Sequence, residues 1–186
     1  VNDKKIAPHI PVFDKSRRDD GSLSRQDFAF DADRNVYVCP QGKLLQIASA
    51  NAGDGKTVVA SNLAICLAQA GRRVLLIDCD VIHPTIDRLF NLPNRPGLAD
   101  VLAGEVDWRQ AIAHSELANL SVLGCGQPSD NKAEMLASPG FSELLQCLRE
   151  HYEFVLLDTP PLLEAADPRM VASQVDAVLL TVRLGN

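Results

Sequence analysis

Short runs of strand length recur along this chain, and stretches with helical spacing separate them. The strand-length runs are Gln46–Ser49, Arg73–Cys79, Leu120–Leu123, Glu153–Leu157 and Ala177–Val182. Arg73–Cys79 (RVLLIDC) is apolar almost throughout, the pattern of a central strand covered on both faces. Lys56–Ala70 has the 3.6-residue rhythm of a helix and predicts Val59, Leu63, Cys66, Leu67 and Ala70 on its buried face. Gly71 then supplies a stop, because the position after a helix favours positive φ. Further helices are expected at Pro84–Phe90, Leu98–Ala103, Trp108–Ala113, Asn131–Ala137, Phe141–His151 and Asp167–Gln174. Strands alternating with helices predict an α/β fold, with a mostly parallel sheet and helices on both faces. Residues 1–43 show little periodicity and read as loop, with one short strand at Val36–Cys39. The expected organisation is an N-terminal extension over 1–43, weakly ordered, and an α/β domain over 44–186.

The junction between the first strand and helix carries chemistry. Ala50–Gly55 is a turn of small residues, and it runs into Gly55-Lys56-Thr57 at the helix start. A strand, a Gly-rich turn, Lys-Thr and a helix are the layout of a phosphate-binding loop. Turn N–H groups converge on one point, and the helix dipole favours an anion there. The common pattern begins with glycine, where this chain has Ala50. The fold expected is therefore the three-layer P-loop NTPase fold. Ala52, Gly53, Asp54, Gly55, Lys56, Thr57 and Val58 would surround the phosphates of ATP, with Lys56 reaching the β and γ oxygens and Thr57 completing a Mg2+ shell. Two more strand ends bear acids: Asp78 with Asp80, and Asp158. In a parallel sheet such ends share the ligand-binding edge. Asp158 is expected to hold Mg2+, directly or through water. Asp78 or Asp80 would orient or deprotonate an attacking hydroxyl, or support the metal and its waters. Leu162–Ala166 is a candidate switch loop near the γ-phosphate, and Arg183 a candidate near the base.

Composition narrows the class. The chain has 186 residues, 46% hydrophobic, and a net charge of −6. A domain of that size buries roughly 70% of its unfolded surface, enough for a substantial core. The acidic balance argues against a broad nucleic-acid surface. Residues 1–43 carry eight Lys/Arg against seven Asp/Glu, whereas 44–186 carry ten against seventeen. The five cysteines are scattered and form no CxxC pair, which predicts a reduced, cytoplasmic protein without a zinc site. No apolar run approaches the ~20 residues of a membrane span, so membrane association is expected only through a partner.

Residues 45–186 resemble the kinase domain of bacterial tyrosine kinases, which act in capsule and exopolysaccharide synthesis and belong to the P-loop class of the ParA/MinD ATPases. The resemblance rests on IASANAGDGKTVVASNLA, VLLIDCDVIHPTIDRLF, GLADVLAGE, LSVLGCGQPSDNKAEMLAS, YEFVLLDTPPLLEAADPRMVA and AVLLTVRLG, in that order. It implies phosphate binding by Lys56, Mg2+ binding by Thr57, a second acidic motif at Asp78 and Asp80 with Asp78 a candidate base, and a metal-side acid at Asp158. It also implies a transmembrane activator with a cytoplasmic tail, a place at the inner face of the membrane, and homo-oligomers. The family's second motif reads Asp-x-Asp-x-Arg, and Ile82 replaces that Arg. Its tyrosine-rich tail, assembly helix and last helix are expected to be absent, since only Tyr37 and Tyr152 occur and residues 1–43 stand where the assembly helix would be. The ParA/MinD ATPases carry a second lysine early in the loop, at Asn51 here, so a ParA/MinD-like ATPase switch is the rival reading, beside a nucleotide-binding pseudokinase remnant. Residues 1–44 are similar to a stretch of DDE-type insertion-sequence transposases, chiefly through SRQDFAFD and YVCPQGK, which implies a fusion remnant joined near Lys43.

Overall fold

The structure is a computed structural model that describes residues 29–31, 36–38, 42–92, 95–126, 135–163 and 167–183. The chain divides into two units, Val1–Pro40 and Gln41–Asn186. In the first, β1 (Ala29–Asp31) pairs antiparallel with β2 (Val36–Val38), Phe30 opposite Tyr37. The expected strand at Val36–Cys39 thus has a partner that the sequence pattern did not show, since three residues are too few to display a period.

The second unit is built on a six-stranded sheet of order β5-β6-β4-β7-β3-β8. Its strands are β3 (Lys43–Ser49), β4 (Val74–Asp78), β5 (Ala113–His114), β6 (Leu120–Leu123), β7 (Phe154–Asp158) and β8 (Ala177–Thr181). All neighbours are parallel except β5 against β6. β4 and β7 are central, and alternate side chains enter different cores. Leu75, Ile77, Val155 and Leu157 pack with Phe141, Leu145 and Leu148 of α5 (Pro139–His151), Leu98 of α3 (Leu98–Leu102) and Val171 of α6 (Asp167–Ala172). Leu76, Leu156 and Ile47 pack with Ala60, Ala64 and Ala68 of α1 (Lys56–Gln69) and with Ile86 of α2 (Ile86–Leu89). This is the three-layer arrangement that the apolar runs predict.

Three details differ from the sequence expectation. The buried face of α1 is Ala60, Ser61, Ala64 and Ala68, not the stripe through Val59, Cys66 and Ala70. Val59 is 36% exposed, and Cys66 and Ala70 are exposed. Small residues let this helix lie close against the sheet, while Leu63 and Leu67 are only partly buried at its flanks. Second, the helix expected to reach Ala113 stops early. α4 (Trp108–Ala111) ends because Ile112 turns extended (φ −68°, ψ 130°), and Ala113–His114 becomes the antiparallel edge strand β5. Third, the helix expected at Pro84–Phe90 is the single turn α2. Most of the helix expected at Asn131–Ala137, and residues 164–166 of the expected switch loop, lie outside the described residues. Among the described residues, no helix is long and apolar enough to cross a membrane.

Candidate functional site

The parallel strands bring three chemically loaded ends to one edge. β3 runs out at Ser49 into the turn 50–55, and α1 starts at Lys56. Gly53 and Gly55 both sit at positive φ, 82° and 84°, where a side chain would be strained. Outside glycine, positive φ among the described residues occurs only at Asn91 and Asn119, so Ala50 fills the first-glycine position without backbone strain. Gly55 is the N-cap of α1 and offers no side chain, and no acid stands in the first turn. The N–H groups at this helix start therefore have no side-chain cap, which suits an anion. The turn is braced from within: the Asn51 N–H donates to Asp54 Oδ2 (3.1 Å), and the Ser49 hydroxyl donates to the Asn51 carbonyl (2.8 Å).

Asp78 and Asp158 lie directly across from each other on β4 and β7. Both are fully buried, yet their surroundings differ. Asp78 accepts three backbone N–H bonds, from Asp80 on Oδ1 (3.1 Å) and from Thr85 (2.9 Å) and Ile86 (3.0 Å) on Oδ2. It thereby holds the loop after β4 and the start of α2. Asp80 pairs with Lys56, Nζ to Oδ2 2.9 Å, and accepts the backbone N–H of His83 on Oδ1 (2.9 Å). His83 thus contributes its main chain here, and its side chain is exposed. Neither oxygen of Asp158 has a hydrogen bond of good geometry. Burial pushes Asp158 up to about 6, and Asp80 adds to the rise, while the nearby Thr57 hydroxyl and the Lys56 charge pull it down. The same Thr57 contact therefore lowers the pKa without satisfying the carboxylate's hydrogen-bonding geometry. Burial pushes Asp78 up to about 7, aided by Asp158 and opposed by its three N–H donors. The adjacent Cys79 thiol is also raised, by burial first and by Asp78 next, so it is inert as a nucleophile.

The structure brings Lys56, Thr57, Asp80 and Asp158 together, with Asp78 behind them. Ala52 and Gly53 lie on the exposed rim of the turn, Val58 is 58% exposed, and Arg183 is exposed just past the end of β8. β8 itself is in register with β3 through Thr181 and Ser49. Ile82, at the place of the expected arginine, is 54% exposed. The segment after Asp158 runs beside the turn: the Leu162 N–H donates to the Ser49 carbonyl (2.8 Å) and that of Leu163 to Ala50 (3.3 Å). Two residues escaped the sequence reading, Gln46 and Thr159, which join beneath this segment. Their only signal was a glutamine inside an otherwise apolar strand.

A hydroxyl, an unpartnered buried carboxylate and a carboxylate held by lysine are hard oxygen donors, the set that fits Mg2+. Among the described residues no cluster of three or more His, Cys, Asp or Glu is arranged to hold a metal alone. Mg2+ is commonly bound through one or two carboxylates plus phosphate and water rather than by an all-protein cage.

The family model for the AAA domain matches residues 42–185. The chain belongs to the AAA domain family. Among relatives, this AAA domain is 39% identical to the tyrosine-protein kinase YwqD of Bacillus subtilis, over 78% of the chain and 61% of that protein. It is 31% identical to the tyrosine-protein kinase ptk of Acinetobacter johnsonii, over 98% of the chain but 25% of that protein. The solved kinase domain of the Escherichia coli tyrosine kinase ETK superposes with a TM-score of 0.75 at 35% identity, covering 77% of this chain and 56% of that one. MinD of Pyrococcus horikoshii, solved with Mg-ADP, gives 0.66 at 26% identity, over 76% and 58%. The AAA domain spans about three fifths of the length of the first curated kinases it matches.

Proposed function

We propose that this AAA domain binds ATP with Mg2+ at the 50–58 turn and transfers the γ-phosphoryl group to protein tyrosine, in the regulation of exopolysaccharide or capsule synthesis. The observation that carries the reading is Asp158, buried with both oxygens unpartnered and facing Thr57 across the mouth of an uncapped helix N-terminus. Such a carboxylate is costly unless a cation joins it. Mg2+, held by Thr57 and Asp158 with Asp80 supporting, would neutralise charge on the phosphates. Lys56 exchanges Asp80 for phosphate oxygens, and this reduces the charge that the acceptor oxygen must approach. Asp80, released from Lys56, and Asp78 are the carboxylates available to orient or deprotonate the acceptor hydroxyl. Asp78 already accepts three N–H bonds, one on Oδ1 and two on Oδ2, so Oδ1 is the oxygen with an acceptor position left for that hydroxyl. The turn, with Ala52 to Val58, aligns the phosphates, and alignment with charge neutralisation is most of what phosphoryl transfer requires. Arg183 is assigned to the base side of the nucleotide.

A transmembrane activator with a cytoplasmic tail and a homo-oligomer at the inner membrane face complete this reading. Exposed Ile82 favours a second one. Without a cation at that place, the domain binds nucleotide and transfers phosphate poorly, as a pseudokinase or an ATPase switch of MinD type. Calorimetry with ATP and Mg2+ on wild type and Lys56→Ala, with phosphotyrosine detection on the same samples, separates them. Losing the charge-assisted bonds of Lys56 is expected to weaken ATP binding about 10- to 100-fold. Phosphotyrosine on a peptide supports the kinase. Binding with hydrolysis alone supports the switch, and binding with neither supports the pseudokinase. No binding by wild type removes the phosphate-site reading.

A further inference from the structure

We propose that Gln46 is a positioning residue that ties the loop following Asp158 to the strand carrying the phosphate-binding turn. The inference rests on the nucleotide-site reading for its effect on Mg2+-ATP, but its structural part stands alone. Gln46 lies inside β3 and is fully buried. Apart from Ser121 of β6, strand interiors in this sheet are otherwise filled by Leu, Ile, Val and Ala, and an apolar side chain would pack at Gln46 without any polar atom to satisfy. The amide nitrogen of Gln46 donates twice, to Thr159 Oγ1 (3.0 Å) and to the Pro168 carbonyl (2.8 Å). One side chain therefore holds Thr159 and Pro168 at once. The Thr159 hydroxyl, having accepted from Gln46, donates on to the Ile47 carbonyl (3.1 Å), back on β3.

The network also dictates which way the amide points. The Pro168 carbonyl can only accept, and Thr159 Oγ1 has given its proton to Ile47. A flipped amide would set an oxygen against two acceptors. The observed orientation leaves Gln46 Oε1 buried and without a partner, a penalty accepted in return for the double donation. The consequence reaches the site through one peptide bond. Thr159 directly follows Asp158, and Leu162 and Leu163 then bond to Ser49 and Ala50. Gln46 thus sets where the Asp158 carboxylate stands relative to Thr57, without touching nucleotide itself.

The test uses Gln46→Met, which keeps the volume and removes the amide, and Thr159→Val, which removes the relay and keeps the shape. Hydrogen exchange is followed at the amides of Leu162 and Leu163 and, as reference, at Leu75–Ile77 in β4. ATP affinity is measured with and without Mg2+. For either variant, exchange at Leu162 and Leu163 is expected to quicken about 5- to 10-fold, the effect of one lost net hydrogen bond, while β4 stays unchanged. The gain in ATP affinity that Mg2+ supplies should fall several-fold, with Mg2+-free affinity unaltered. Exchange unchanged at both amides, or raised equally in β4, overturns the proposal. So does a loss of affinity that is the same with and without Mg2+. Should one variant fail to fold, the other carries the same comparison. If wild type binds no nucleotide, the functional reading falls, and the exchange measurement still decides the role of Gln46.

Discussion

Asp158 and Asp78 are where single residues set the behaviour of this domain. Both carboxyls are raised by burial, to about 6 and about 7 respectively. A carboxylate that binds its proton more tightly when folded makes the folded state gain protons relative to the unfolded one. Stability is then full below the unfolded pKa near 3.8 and falls as pH rises through the folded values. The ligand-free protein should therefore melt at lower temperature at pH 7.5 than at pH 5, as calorimetry would show. Asp158→Asn removes one buried charge and should flatten that slope. At neutral pH it should stabilise the ligand-free domain by about 1–3 kcal/mol. The same variant should abolish the Mg2+ enhancement of ATP binding. A pH slope unchanged in Asp158→Asn would mean that this carboxylate is not the group responsible. Other residues at the site have plain structural duties that the motif alone does not reveal. Asp54 closes the turn on Asn51, and His83 lends a backbone N–H to Asp80.

At the scale of elements, α1 and the segment after β7 carry the site. α1 presents alanines to the sheet, so Lys56 and Thr57 at its start are placed by close contact between Ala60, Ala64, Ala68 and Ile47, Leu76, Leu156. Ala64→Leu overfills this contact and is expected to cost about 1–3 kcal/mol. It should also weaken nucleotide binding, because the helix start moves with the helix. Cys66→Leu, on the exposed face, should change stability by no more than about 0.5 kcal/mol. Equal melting shifts in the two variants would reverse the assignment of the buried face. α2 is a single turn, and its start is secured by Asp78 rather than by its own residues. Its position is thus tied to the acid that faces Asp158.

Across the whole second unit, the sheet is unevenly covered. β4 is buried at every position, whereas β8, at the edge, exposes Val178 (45%), Leu179 (39%) and Leu180 (50%). An uncharged apolar edge strand is a template for pairing with another chain. Leu180→Lys should lower the concentration-dependent light scattering of this chain without shifting its melting temperature by more than a degree or two. An unchanged scattering profile would place self-association elsewhere. The start of β8 is well held by comparison. Asp176 accepts the Leu44 N–H (2.8 Å) and pairs with Arg149 of α5 (2.8 Å), joining the edge to β3 and to the helix layer.

The alternation of apolar runs with helical spacing was sufficient for the class of fold, because a parallel sheet buried on both faces has to be written in continuous apolar strands. The glycine turn before α1 was legible for a similar reason, since Gly53 and Gly55 at positive φ and Lys56-Thr57 at a helix start are local features. The acids at Asp78, Asp80 and Asp158 were legible as strand ends. Which acid is held, paired or unpartnered was not, because it depends on N–H groups up to eight residues away and on a lysine 24 residues away. The face that α1 buries was misread for the same kind of reason. Periodicity ranks residues by hydrophobicity, while the sheet selects by how closely the helix must approach. The pairing of β1 with β2, the edge strand at Ala113–His114, and the grip of Gln46 on Thr159 and Pro168 are likewise decisions of tertiary contact. They are made between residues that carry no signal until the chain brings them together.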